Sequence, residues 1–302
     1  MFMNNVSADG NKVDGFGSVF SFKLMSYALS QVYKMGYVDN KLKNIVGGEF
    51  LNLSQEDYDK KLNDFLNFEY TNSINSEKEP FDIFFGHPYK PPLSLYQSKI
   101  YKFKRNIFFS EFQRNIERIN RKEILTSLAR FVPSESNNEF YKDGLNIVIH
   151  LRAPLPDIDL FFEPNRRYFY GSYKDTDRVN NIIRQLEHAE NNVKLNFHII
   201  GLGERKLFEK ISPMYDRNDL LIHSELDVFK SFSMMVHNDI FIGTQSGLSY
   251  IAHLLNKNIS IFPFDHSFGQ KPFYPDTLIL NENGLIDSLN YTKKLFDIVK
   301  SE

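Results

Sequence analysis

The feature that most restricts the fold is a series of short, predominantly apolar runs in the second half of the chain, each followed by a segment of helical pattern. Leu145 to Leu151 comes first, then Val193 to Ile200, Leu220 to Ile222, Asp239 to Ile242, and Ile259 to Phe262. Helical segments are expected at Thr176 to Asn191, Glu204 to Ile211, Asp227 to Val236, Gly247 to Leu255 and Leu285 to Val299. A strand with one wet face alternates apolar and polar residues; runs without alternation belong to strands buried on both faces. Alternation of strand with helix supplies that cover. The expected fold is therefore α/β with a parallel, doubly wound sheet, a form that binds ligands beyond the carboxyl ends of its strands.

The 302 residues suit two domains, each of about 150 residues. The polar stretch Pro133 to Gly144 precedes the first clear strand and sets the expected boundary, giving domains 1–143 and 144–302. A second polar stretch, Thr71 to Pro80, interrupts the first half. There, Phe20, Leu24, Tyr27, Ala28 and Gln31-Val32 recur near helical spacing between Ser18 and Lys34, with Gly36 as the stop. Ser54 with Asp57 opens a second helix. Phe81 to Phe85 reads as a buried strand closed by Gly86, and the capping box Ser110-Glu111-Phe112-Gln113 opens a helix reaching Phe131.

Composition narrows the function classes. A net charge of -2 leaves no basic field for a nucleic-acid backbone. The short run Lys102-Phe103-Lys104-Arg105 reads as a solvated face. Without cysteine, disulfides and thiolate metal sites are excluded. Met1 to Val13 lacks the pattern of a signal peptide, and no apolar stretch approaches the ~18 residues of a membrane span. The expected location is the cytoplasm, with no transmembrane segment.

Four segments carry candidate chemistry. Asp14-Gly15-Phe16-Gly17-Ser18 stands before the first helix. Glycines there let backbone approach a ligand near free N–H groups, although the same pattern makes an ordinary turn into a helix. It is not a Walker loop, since no Lys-Ser or Lys-Thr follows. At His150-Leu151-Arg152, strand alternation sets His150 and Arg152 on one side. An Arg there makes bidentate bonds to a diphosphate, or pairs with Asp157 or Asp159 while His150 is a satisfied core histidine. In Gly243-Thr244-Gln245-Ser246-Gly247-Leu248-Ser249 a strand ends and a helix begins. Its N–H groups and hydroxyls suit a phosphate oxygen, and Thr244 or Ser246 equally suits an N-cap. Two aromatic loops follow strands, one with Phe264 and His266, the other with His87 and Tyr89; each can stack on a sugar or pack as a surface loop.

Asp157-Ile158-Asp159 has the Asp-x-Asp form that holds a metal-bound nucleotide. No His-x-x-x-His or Glu-x-x-His pair accompanies it, and neither metal nor cofactor is expected.

Three of these segments, in this order, resemble the fucosyltransferase superfamily that contains α1,2-, α1,6- and protein O-fucosyltransferases. The Asp14 to Ser18 loop is similar to that family's N-terminal Gly-x-Gly loop, His150-Leu151-Arg152 to its His-x-Arg motif, and Asp239 to Ser249, with Ala252 and Leu255 behind, to its late Ser-rich motif. After Arg152, where many relatives carry a second Arg, this chain has Ala153-Pro154-Leu155-Pro156-Asp157.

The resemblance implies two Rossmann-like domains facing across a cleft (the GT-B arrangement), with an acceptor side in 1–143 and nucleotide-sugar binding in 144–302. It implies GDP-fucose as donor, a glycan acceptor, transfer with inversion and no required metal. Donor contacts would come from Gly15, Phe16, Gly17, His150, Arg152, Asp227, Thr244, Gln245, Ser246, Gly247, Leu248 and Ser249, with Arg152 on the β-phosphate and Asp227 near the base. Arg152, Asp157 and Glu163 are the catalytic candidates, Asp157 being the first choice of base, with Glu163 and His87 behind it. His87, Tyr89, Phe264 and His266 are candidates for the acceptor. Two alternatives stay open: a transferase of the same fold using another nucleotide sugar, and a non-catalytic glycan-binding protein.

Overall fold

A computed structural model describes residues 2–4, 16–17, 20, 24, 27, 36–38, 45, 52–66, 81–83, 100–103, 125–126, 128–133, 139–151, 176–189, 193–201, 220–224, 226–244, 246–263, 277–281 and 283–286. The chain falls into two compact units, 1–133 and 134–302. The second takes in residues 134–143, placed with the first half by sequence. Tyr141 shows why: its hydroxyl donates to Met234 O at 3.0 Å, and Lys142 N–H donates to Asn146 Oδ1 at 3.1 Å.

The first unit contains a four-stranded parallel sheet. Its strands are β1 (Phe2–Asn4), β2 (Gly36–Val38), β3 (Phe81–Ile83) and β4 (Ile100–Phe103), in the order β2-β1-β4-β3. Only β3 was expected. Gly36 begins a strand instead of only stopping a helix, and Lys102-Phe103 lies within the inner strand β4. Helix α1 (Gln55–Leu66) begins where Ser54 and Asp57 predict. Asp57 N–H donates to Ser54 Oγ at 3.2 Å, and Ser54 Oγ–H donates to Asp57 Oδ2 at 2.6 Å. The two side chains thus hold the helix start as a capping box does. Tyr58 and Leu62, four residues apart, form its buried stripe.

Phe16, Gly17, Phe20, Leu24 and Tyr27 are helical. Phe16 is buried and stacks on Phe20, centroids 5.4 Å apart. The 16–20–24 apolar stripe therefore draws Phe16 and Gly17 into the helix, where the sequence suggested a loop ahead of it. The end of the long helix expected from Ser110 closes as a 3-10 turn at Ala129–Phe131, with Phe131 edge-on to Tyr27.

The second unit is the doubly wound sheet that the apolar runs imply. Its strands are β5 (Leu145–His150), β6 (Leu195–Ile200), β7 (Leu220–His223), β8 (Ile240–Ile242), β9 (Ile259–Pro263) and β10 (Leu278–Leu280). All pairs are parallel, in the order β10-β9-β8-β5-β6-β7. Every residue of β5, β6 and β8 is buried, whereas β7 and β10, at the edges, bury only Leu220 and Leu280 and are otherwise half-buried.

Helix α2 (Thr176–Ala189) covers one face, seating Val179, Ile182, Ile183 and Leu186 on Ile147, Ile149, Phe197, Ile199 and Ile242. The opposite face meets α4 (Gly247–Leu255) through Tyr250 and His253, both in ring contact with Phe262. Helix α3 (Val228–Val236) packs beside α4 and β5. The sequence reading missed β10. It also placed Leu285 and Ile286 in a helix; Ile286 instead bridges antiparallel to Leu280. Gly144 enters β5 at φ +111, and a Cβ there would run into Lys194 O. That position therefore admits glycine for two separate reasons.

Candidate functional site

The strand order fixes where a ligand can sit. From β5 the sheet grows through β6 and β7; from β8 it grows the opposite way through β9 and β10. The connections leaving the carboxyl ends of β5 and β8 thus part in opposite directions, which in open parallel sheets opens the ligand crevice. Ile149 pairs with Ile242, so His150 and Gly243 are the next residues on each strand.

These two strand ends are joined. His150 is buried and its Nδ1 lies 2.6 Å from Ser249 Oγ, in the first turn of α4. The same oxygen accepts the Thr244 N–H at 3.0 Å. Ser246 is the N-cap of α4: its Oγ accepts the Leu248 N–H at 3.2 Å, and its own N–H donates to Thr244 O at 2.8 Å. The start of α4 carries N–H groups and the positive end of the helix dipole toward the crevice side of the sheet. Gly243 is required by packing, because a Cβ would enter the ring of Phe262.

Two expected segments, far apart in sequence, therefore meet. Within the turn the hydroxyls differ in surroundings. Thr244 and Ser249 are buried at 2% and 0% exposure, whereas Ser246, Gly247 and Leu248 are half-buried. Asp227 lies just after β7, two strands from β5, at the same end of the sheet. It is the N-cap of α3, with Oδ1 accepting the Lys230 N–H at 2.8 Å. Phe16 and Gly17 belong to the helix of the first unit, with Phe16 in its core. Gly15, His87, Tyr89, Arg152, Asp157, Glu163, Gln245, Phe264 and His266 lie outside the described residues. Among the described residues no group of three or more His, Cys, Asp or Glu is gathered as a metal ion requires, and no helix is long and apolar enough to cross a membrane.

A polar cluster that the sequence reading did not single out lies on the face opposite α2. His198 Nε2–H donates to Asn146 Oδ1 at 3.0 Å, which leaves Nδ1 to accept from His223 Nε2–H at 3.1 Å. Asn146 Nδ2 continues the chain to Lys142 O at 3.0 Å. Tyr141 stands edge-on to His198 and Phe140 edge-on to His223. Burial, then His223 and Lys142 nearby, push the His198 pKa down to about 3, and burial pushes that of His223 down to about 4. Burial and the neighbouring Asp239 hold Tyr141 protonated well above the usual phenol range. Both histidines are thus neutral at pH 7, His198 in the core and His223 half-buried on the edge strand. The sequence signal was there: His198 interrupts the apolar run Leu195–Ile200 on the same face as Asn196, and a buried polar residue demands partners.

No family model matches the sequence, and no curated protein does. Among solved structures, the chain is similar to a mutant of Arabidopsis thaliana FUT1 in complex with GDP, at 13% identity and a TM-score of 0.44, covering 86% of this chain and 69% of that one. It is similar to the fucosyltransferase NodZ from Bradyrhizobium at 11% identity and a TM-score of 0.39, covering 84% and 92%. It is also similar to POFUT1 in complex with GDP-fucose, at 12% identity and a TM-score of 0.40, covering 86% and 97%.

Proposed function

We propose that the second unit binds the diphosphate of a nucleotide sugar at the β5–β8 switch point, and that the chain is a glycosyltransferase carrying fucose from GDP-fucose to a glycan acceptor with inversion. One observation carries this: the His150–Ser249 hydrogen bond joins the end of the His-x-Arg strand to the Ser-rich turn, at the place where a doubly wound sheet takes its ligand. In this assignment the N–H groups at the start of α4, with Ser246 and Gly247, hold phosphate oxygens. Arg152, two residues beyond His150, bonds the β-phosphate. As the glycosidic bond breaks, negative charge grows on the departing GDP, and groups fixed in advance around that charge lower the barrier. The acceptor hydroxyl loses its proton to Asp157, with Glu163 and His87 as the next candidates, and aromatic contacts from Tyr89, Phe264 and His266 hold the acceptor. Asp227 reads the base, Gln245 and Leu248 flank the diphosphate, and no metal or cofactor takes part.

A thermal-shift panel of GDP, UDP and dTDP tests the donor. Stabilisation by GDP alone is expected, followed by release of free fucose in a donor-hydrolysis screen and transfer on an acceptor array. Stabilisation by UDP or dTDP instead would replace the donor. Glycan binding with no nucleotide response would overturn the transferase. Arg152→Ala that stays folded and transfers at the wild-type rate would also overturn it.

A further inference from the structure

We propose that Ser249 is a positioning residue that keeps the proton of His150 on Nε2 and locks the Thr244–Ser249 turn, a role that rests on the nucleotide-sugar assignment for its consequence. Ser249 is fully buried, so its hydroxyl serves the protein in this arrangement and does not reach a ligand. A serine hydroxyl has one proton to give. Ser249 Oγ already accepts the Thr244 N–H, and among the described residues its other hydrogen-bond partner is His150 Nδ1 at 2.6 Å.

If Nδ1 carried the ring proton, two N–H donors would converge on Ser249 Oγ. The hydroxyl proton would then have no acceptor in a buried site, an arrangement that native interiors avoid. Ser249 therefore donates to Nδ1, and the neutral imidazole holds its proton on Nε2. The far side of the ring is then a hydrogen-bond donor. A general base needs a bare nitrogen, so His150 in this tautomer is not the group that deprotonates the acceptor. The same hydroxyl ties the end of β5 to the turn after β8, so both borders of the crevice are held by one side chain.

Histidine-selective 15N labelling with long-range 1H–15N correlation at neutral pH reads the tautomer directly, the His150 pattern being the one lost in His150→Gln. A protonated Nε2 and a bare Nδ1 are expected. Ser249→Ala is expected to mix the two tautomers, leave the His198 pattern unchanged and weaken GDP binding about tenfold, the loss of one buried hydrogen bond. Ser249→Thr, which keeps a hydroxyl, is expected to restore the Nε2–H pattern. A wild-type spectrum with the proton on Nδ1 overturns the proposal even if Ser249→Ala fails to fold, as does a folded Ser249→Ala that keeps both tautomer and affinity. Wild type that binds GDP with the proton on Nδ1 sinks this role alone. Wild type with the proton on Nε2 that binds no nucleotide sinks the site assignment, and the positioning role with it.

Discussion

Lowering the pH from 7 to 5 should destabilise the second unit through two histidines. His198 and His223 are neutral in the fold, with pKa values pushed down to about 3 and about 4, while the unfolded chain titrates them near the ordinary imidazole value of 6.5. The unfolded state therefore binds more protons throughout the interval. A folded pKa below the unfolded one gives stability that is fully present above pH 6.5 and is lost as the pH falls. The rate is about 1.4 kcal/mol per pH unit for each fully linked proton. At pH 5 each histidine has then withdrawn about 2 kcal/mol, and the pair about 4 kcal/mol, against the ~5–15 kcal/mol that holds a typical domain folded. The geometry explains why the fold resists the charge. Protonated His198 would turn a second N–H toward the His223 donor, with Lys142 nearby and Asn146 Oδ1 already engaged. Unpaired carboxylates, with ordinary values near 4, titrate mostly below this window.

Urea unfolding at pH 7 and pH 5, followed by a probe in the second unit, measures the loss. His223→Gln keeps an N–H donor for His198 Nδ1 but removes one titrating group. Its loss over the same interval should therefore fall to about 2 kcal/mol. Equal losses in wild type and variant, or a flat wild-type response, would refute the assignment of the pair as neutral in the fold.

Three further outcomes follow from single contacts. Asp227→Ala should lose the α3 cap and about 1 kcal/mol of stability, whereas Asp227→Asn keeps the cap; a fall in the GDP thermal shift in Asp227→Asn at unchanged melting temperature would isolate base recognition, and an unchanged shift would leave Asp227 a cap alone. Gly243→Ala drives a methyl into the Phe262 ring and should cost about 1–3 kcal/mol, read as a lowered urea midpoint. Asp239→Ala removes the acceptor of the Asn146 N–H, held at 2.7 Å, and should cost about 1.5–3 kcal/mol in the same assay.

The parts of the fold legible in the sequence are those where burial alone decides. Leu145–His150 and Leu195–Ile200 sit inside a covered sheet, so their apolar runs could mean little else. The strands missed are three or four residues long. Leu278–Leu280 is too short to carry a period, and Ile100–Phe103 contains Lys102, which disguises an inner strand as a polar run. Gly36 punctuates a helical pattern and also begins β2, and nothing local separates the two roles. Leu285 and Ile286 suit a helical stripe by composition. Their place is set by pairing with Leu280 and by Gln185, whose Nε2 donates to Ile286 O at 2.6 Å. That partner lies a hundred residues away, where no window of sequence reaches.

At the candidate site, sequence could name two segments that the fold brings together but could not sort their hydroxyls. Thr244, Ser246 and Ser249 lie within six residues and offer the same chemistry to any phosphate. What separates them is the register of α4. Ser246, just outside the first turn, adopts the extended backbone of an N-cap and stays half-buried. Ser249, one turn later, rotates inward onto His150, and Thr244 is pinned beneath it by its N–H. A helix start places every third or fourth residue on one side, so the spacing from Ser246 to Ser249 was visible. Which side faces the core depends on β5 lying next to β8, and that adjacency comes from the order of strands and not from any motif. The candidate site was therefore legible as a pair of segments, while the contacts inside it became readable only once the sheet had brought His150 to the turn.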